Sequence, residues 1–148
     1  MGVSRRLFLR GAAAAAALMA LPRALLAWPE KAFKAGSSDD AMQALFGTTD
    51  ASASSAVVLS APDIAENGRV VPVSVSSTLD GVESISIIVE QNPSPLAASF
   101  DLGPGAVADV STRLKMGKTS NVIAVVKADG KLYTATKEVK VTIGGCGG

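Results

Sequence analysis

Histidine is absent from this chain of 148 residues, and cysteine occurs once, at Cys146. The first absence removes His-centred catalytic triads. With one thiol beside it, it also removes nearly all zinc sites, which draw several ligands from Cys and His. A single cysteine cannot form an intramolecular disulfide. Aromatic residues are few, with one Trp, one Tyr and four Phe, so there is little to stack on bases. The apolar run from Gly11 to Leu21 is about half the ~20 residues that a membrane-spanning helix needs. What remains is 48% hydrophobic and 18% charged, a composition that folds as one domain with a core.

The first 27 residues read as an address. Ser4-Arg5-Arg6-Leu7-Phe8-Leu9-Arg10 precedes the apolar run, and Ala24-Leu25-Leu26-Ala27 ends it. A charged start, a short apolar stretch and a small residue at the cut describe a cleavable secretory signal, with cleavage expected after Ala27. The Arg pair followed by Leu-Phe-Leu matches the twin-arginine type, which exports folded proteins to the periplasm; the alternative is a general export signal with an incidental Arg pair. Removing the signal takes Lys+Arg from 14 to 10 against 13 Asp+Glu, leaving a net charge near −3. The basic surplus belongs to the signal, so neither nucleic acid nor, after cleavage, a membrane is an expected partner.

The mature chain divides into a helical N-terminal segment (28–56), a β-sandwich (57–143) and a glycine-rich C-terminal arm (144–148). Ser37-Ser38-Asp39-Asp40 offers a cap and first-turn acids. Met42, Leu45 and Phe46 share one helical face, and Gly47 is placed to end it. Thr48 to Ser55 is small and polar, a loop. From Val57 the period changes to two. Val71, Val73 and Val75 alternate with Pro72, Ser74 and Ser76; Pro72 cannot donate to a ladder and predicts an edge or a bulge. Ile85, Ile87 and Val89 repeat the alternation, as do Val110, Thr112, Leu114 and Met116. Val122 to Val126 is apolar on both faces, as in a central, doubly covered strand. Asn67-Gly68 and Asp129-Gly130 supply hairpin-turn chemistry. Tyr133, Ala135, Val139, Val141 and Ile143 form a last apolar face that Lys137 interrupts, predicting a bulge there. Gln91-Asn92-Pro93-Ser94-Pro95 is a loop. Short strands at this spacing predict an all-β, immunoglobulin-like antiparallel sandwich with a helical appendage. Val107 to Val126 is a candidate region for contact with a partner subunit.

The chain then reads Gly144-Gly145-Cys146-Gly147-Gly148. Four of these five residues have no side chain to pack, so the segment is expected to be flexible and narrow. Cys146 lies three residues beyond Ile143, and at ~3.3–3.6 Å per extended residue its sulfur reaches roughly 10 Å from the domain. Such a tether suits a covalent carrier better than a catalyst, which holds its nucleophile beside a base and oxyanion donors. A free thiol of pKa about 8.5 has modest reactivity of its own, so partners would have to activate it. The residues alone leave three readings open: a carrier arm, a frayed tail, and an intermolecular disulfide in an assembly or adhesion module. A metal site is weaker, because one thiolate cannot saturate a metal. A lipid anchor fails, because the cysteine does not follow the signal.

The tail resembles that of the SoxY family, the sulfur-carrying subunits of the periplasmic thiosulfate-oxidising (Sox) system. The resemblance extends to Glu90-Gln91-Asn92-Pro93-Ser94-Pro95-Leu96-Ala97-Ala98, to Ser111-Thr112-Arg113-Leu114-Lys115-Met116 with Thr119-Ser120-Asn121-Val122, and to the whole of Val139 to Gly148. Leu114 stands where the family has Ile, a conservative change. The resemblance implies an immunoglobulin-like sandwich paired with a second small sandwich, SoxZ. It implies that a haem-containing enzyme loads Cys146 with thiosulfate and that a hydrolase releases sulfate. In some organisms a molybdenum dehydrogenase oxidises the remaining sulfane sulfur. The carrier would hold no cofactor or metal and catalyse none of these steps. Traffic of another sulfur compound outside thiosulfate oxidation is a further possibility that one sequence leaves open.

Overall fold

The chain leaves its first turn of helix at Lys34 and must restart, and the side chains of Ser37 and Asp40 decide where. In the computed structural model, which describes residues 28–143, α1 spans Glu30–Phe33 and α2 spans Ser38–Phe46. Ser37 is extended, and its hydroxyl accepts the Asp40 backbone N–H at 3.1 Å. Asp39 and Asp40 sit in the first turn, where the helix end is positive. Gly47 adopts φ 74 and donates its N–H to the Gln43 carbonyl at 2.9 Å, closing the helix as its position predicts.

Among the described residues the strands are β1 (Ser52–Ala53), β2 (Val57–Ser60), β3 (Ile64–Ala65), β4 (Val71–Ser77), β5 (Val82–Val89), β6 (Leu96–Asp101), β7 (Asp109–Leu114), β8 (Ser120–Ala128) and β9 (Lys131–Val141). They form two sheets. The larger has the order β1-β9-β8-β5-β6 with β3 also on β9, and the smaller has β2-β4-β7. All long pairings are antiparallel, whereas the two-residue strands β1 and β3 run parallel to β9. The expected immunoglobulin-like sandwich is present. The polar stretch predicted as loop, Thr48 to Ser55, contributes β1.

Alternation along the strands builds the core. Val71, Val73 and Val75 of β4 face Ile85, Ile87 and Val89 of β5 and Val122, Ala124 and Val126 of β8, in one buried cluster. The opposite face of the larger sheet is not bare. Ile88 of β5, Val125 of β8, Leu132 of β9 and Leu96 of β6 bury against Ala32, Ala41 and Met42 of the helices. This is why β8 reads as apolar on both faces. The helical segment is thus a third layer and not an appendage.

Two turns depend on backbone that L-residues avoid. Asp129 and Gly130, with φ 48 and 74, join β8 to β9 between the paired residues Ala128 and Lys131, the two-residue hairpin that the sequence predicts. Gly81 has φ +65, and a Cβ there would lie 2.3 Å from the Asp129 Oδ1. Gly81→Ala is therefore expected to cost about 1–2 kcal/mol, read as a lowered midpoint in denaturant titration. Beside this turn Lys127 Nζ approaches Glu83 Oε2 at 2.9 Å, and the Gly130 N–H donates to Glu83 Oε1 at 3.2 Å. The hydrogen bond from Lys127 is the main reason the Glu83 carboxyl titrates below its usual range.

Three local expectations are corrected. β4 is the middle strand of its sheet, not an edge, and its ladder with β7 is free of bulges. Pro72 is tolerated because β2 pairs with β4 only as far as Ser74, so one flank is open where the N–H is missing. Lys137 marks no bulge, since β9 pairs with β8 in continuous register. Its amine instead reaches out of the sandwich to the Ala61 carbonyl and to Asp63 Oδ1, the latter at 2.9 Å. Asn67-Gly68 is not a hairpin turn, because β3 pairs with β9 and not with β4. The Asn67 side chain accepts the Arg69 N–H at 3.0 Å in a local turn, and Gly68 is turned to another use.

Candidate functional site

The glycine arm, with Gly144, Gly145, Cys146, Gly147 and Gly148, lies outside the described residues, as does the export signal. The structure does show the root from which the arm starts. β8 ends its pairing with β9 at Ser120 opposite Val139, so Lys140 to Ile143 overhang the sheet. Left alone, such an overhang would fray, with its backbone groups given up to water. It is held on both sides instead.

On one side is β3, with Ile64 opposite Lys140 and Ala65 opposite Val141. The Lys140 N–H donates to the Asp63 carbonyl at 3.0 Å and the Thr142 N–H to the Ala65 carbonyl at 3.1 Å. The Thr142 hydroxyl donates to the Glu66 carbonyl at 3.2 Å, and Gly68 N–H donates to the Ile143 carbonyl at 2.9 Å. On the other side the Val141 N–H donates to the Thr119 hydroxyl at 3.0 Å. Lys140 and Thr142 are tied to one neighbour, Val141 to the other and Ile143 to Gly68, so the chain is held up to the last residue before the arm.

The loops around this end are locked together. Met116, fully buried, donates its N–H to the Gly68 carbonyl at 2.6 Å. Gly68 thus links the overhang to the loop after β7. The Asn92 side chain donates to the Lys115 carbonyl at 2.7 Å and accepts the Gly117 N–H at 3.1 Å. Ser120 Oγ accepts the Gln91 N–H at 3.1 Å, and Asn121 Nδ2 donates to Glu90 Oε2 at 2.9 Å. The proline loop, the Thr119-Ser120-Asn121 segment and the end of β9 are far apart in sequence and meet at one end of the sandwich. Sequence reasoning singled out all three segments but missed that Gly68, Thr119 and Asn92 join them. From the sequence, Gly68 reads only as turn chemistry.

In the stretch Val107 to Val126, Val107, Arg113, Lys115 and Lys118 are exposed. Val107 is 80% exposed, whereas Val122, Ala124, Val125 and Val126 are wholly buried. Two open hollows lie at the opposite end of β9, about 40 Å of strand away at ~3.4 Å per residue. One is lined by Asp50, Gly130, Lys131 and Tyr133, the other by Gly81, Glu83 and Leu102 to Ala106. Among the described residues no group of His, Cys, Asp or Glu could hold a metal ion, and no helix is long and apolar enough to cross a membrane.

A three-layer domain of two β-sheets and a helical cover, whose last strand is clamped at its end, defines an immunoglobulin-like β-sandwich. The model of the sulfur oxidation protein SoxY family matches residues 42–146. The solved structure of the sulfur carrier protein SoxY from Chlorobium limicola f thiosulfatophilum is 49% identical. It covers 78% of this chain and 100% of its own, with a TM-score of 0.66. An engineered protein of known structure shares 18% identity over 59% of this chain and 20% of its own, at a TM-score of 0.40, and supports no conclusion. No curated protein matches significantly. The chain belongs to the SoxY family and is a sulfur carrier of sulfur oxidation.

Proposed function

We propose that the chain carries the intermediates of thiosulfate oxidation covalently on Cys146, with Gly144, Gly145, Gly147 and Gly148 as the arm that presents them. The observation that supports this most is the contrast across Ile143. Every residue from Lys140 to Ile143 is hydrogen-bonded to a neighbouring segment, and four of the five residues that follow have no side chain. A fixed root and a three-residue span to the thiol give Cys146 a reach of roughly 10 Å from a defined point.

The chemistry needs a sulfur handle and little else from this chain. In loading, the Cys146 thiolate and the outer sulfur of thiosulfate form a sulfur–sulfur bond, and two electrons pass to the loading enzyme. In sulfate release, water attacks the sulfonate sulfur, and the electron pair of its bond to the sulfane sulfur stays on that sulfur. Sulfate and a persulfide on Cys146 result, with two protons released. Thiolate exchange makes and breaks such bonds at cysteine. The carrier contributes attachment and presentation, with no catalysis, cofactor or metal of its own.

The partners that this reading entails are a SoxZ-like second subunit, a haem-containing thiosulfate-loading enzyme, a sulfate-releasing hydrolase and, where present, a sulfane dehydrogenase. Residues 1–27 would direct the folded chain to the periplasm by the twin-arginine route. Gly145→Pro tests the arm. Proline fixes φ and widens the segment, so sulfate release by the partner enzymes is expected to fall at least about tenfold, by ~1.4 kcal/mol of barrier. The thermal midpoint is expected to stay unchanged. Turnover at the wild-type rate would refute the arm.

A further inference from the structure

At the arm's root the charges are distributed unlike those of the rest of the chain. Residues 28–148 hold ten Lys and Arg against thirteen Asp and Glu. Four of those ten stand next to the backbone groups that clamp the root. Arg69 follows Gly68, Lys115 precedes Met116, Lys118 precedes Thr119, and Lys140 precedes Val141; all four are exposed. None forms an ion pair or a side-chain hydrogen bond with another described residue, whereas Lys34, Lys127 and Lys137 each pair with an acid.

The acids close by do not cancel them. The Asp63 carboxylate is paired with Lys137, and that of Glu90 accepts from the neutral Asn121 amide and keeps its charge. Glu66, beside Thr142, Glu138, on the same face of β9 as Lys140, and Glu90 remain, three carboxylates against four cations, which leaves the root net positive on a chain that is net negative. Protection of a free sheet edge accounts for Lys115, just past the end of the edge strand β7. It does not account for Arg69 and Lys118 on loops, nor for Lys140, whose strand is paired there with β3.

We infer that Arg69, Lys115, Lys118 and Lys140 form an anion site for the sulfonate end of the group carried on Cys146, an inference that rests on the function proposed above. The occupant is the chain's own loaded arm. Cys146 is three residues from Ile143, so a sulfonate attached to it is never more than about 10 Å plus its own length from the root. A thiol is neutral and a sulfonate is anionic, so cations hold the sulfonate in preference to the free thiol. The site therefore distinguishes loaded from unloaded arm. It draws the anionic cargo back against the domain and favours its arrival. At about 8 Å in water each unit charge changes the preference roughly twofold, so four cations against three carboxylates favour the anion by about twofold at low ionic strength.

Tetrathionate provides the probe. The Cys146 thiolate attacks one of its sulfane sulfurs, thiosulfate leaves, and the arm carries –S–SO3⁻ beyond the cysteine sulfur; iodoacetamide gives a neutral adduct of similar bulk. Amide nitrogen–proton spectra of the two adducts are compared. The expected result is shifts at Arg69, at Gly117 to Thr119 and at Lys140 to Thr142 in the sulfonate adduct only, lost in about 1 M salt, where screening acts within ~3 Å. A Lys118→Gln, Lys140→Gln double variant is expected to slow tetrathionate loading about fourfold at low salt, leaving iodoacetamide alkylation nearly unchanged. Equal shifts in both adducts, shifts confined to Gly144 to Gly148, or no change in the rate ratio would overturn the anion site. None of those results would touch the carrier function, which fails only if Cys146 bears no sulfur adduct in the cell.

Discussion

Cys146→Ser is expected to abolish sulfur loading completely while leaving the thermal midpoint where it was. Serine keeps the shape of the side chain but not its chemistry, because a hydroxyl neither forms the sulfur–sulfur bond nor exchanges it. It is the chain's only cysteine, so no second thiol can substitute. The two buried clusters draw on residues 32 to 139, and the polar clamp on β9 ends at Ile143. In a reconstituted system with thiosulfate and the partner enzymes, the variant should release no sulfate above the rate without carrier. Partial activity would mean that sulfur is handed over elsewhere on the chain.

Ile87→Ala makes the converse prediction, a protein that loses stability without losing its chemistry. Ile87 is fully buried in β5 between the sheets. Its ladder partners are Ala124 on β8 and Ala98 on β6, so the strands on both flanks offer only methyl groups to fill the space. Collapse around the cavity is therefore limited, and the cost is expected near the upper part of the range for such truncations, about 4 kcal/mol. For a domain of this size that lowers the melting temperature by roughly 15 °C. Below the new midpoint, Cys146 should load as before. A loss under 1 kcal/mol would show that the core repacks and that the two-sheet packing described above is looser than its burial implies.

The contrast between these two variants reflects what could be read from the sequence. The strands announce themselves through a period of two, the helix α2 through Ser37 and Gly47, and the β8–β9 hairpin through Asp129-Gly130. All of these are local properties, decided within a few residues. Val122 to Val126 shows that both its faces are covered, but periodicity cannot say by what; the answer is Ala32, Ala41 and Met42, eighty residues upstream. Pro72 and Lys137 mislead for a related reason. Each breaks a local rule, and the break is absorbed by a distant neighbour: the early end of β2 in one case, the Ala61 to Asp63 segment in the other.

The terminal motif was legible because glycines around a lone cysteine have little structural use. Its root was not. β3 has two residues and no period, and its parallel pairing with β9 leaves no mark in either segment. Thr119 and Asn92 are ordinary polar residues until the fold places them beside Val141 and Gly117. The basic residues at the root were equally hidden, because in sequence Arg69, Lys118 and Lys140 are unrelated and the overall charge is negative.

The carrier role itself is tested most directly by the intact mass of the protein taken from the periplasm of thiosulfate-fed cells, before and after reductant, beside the Cys146→Ser variant. The expected result is a set of adducts of sulfur or thiosulfate mass that reductant removes and the variant lacks. An unmodified chain, or a disulfide-linked dimer as the sole modified form, would contradict it and point to a module that uses Cys146 for assembly.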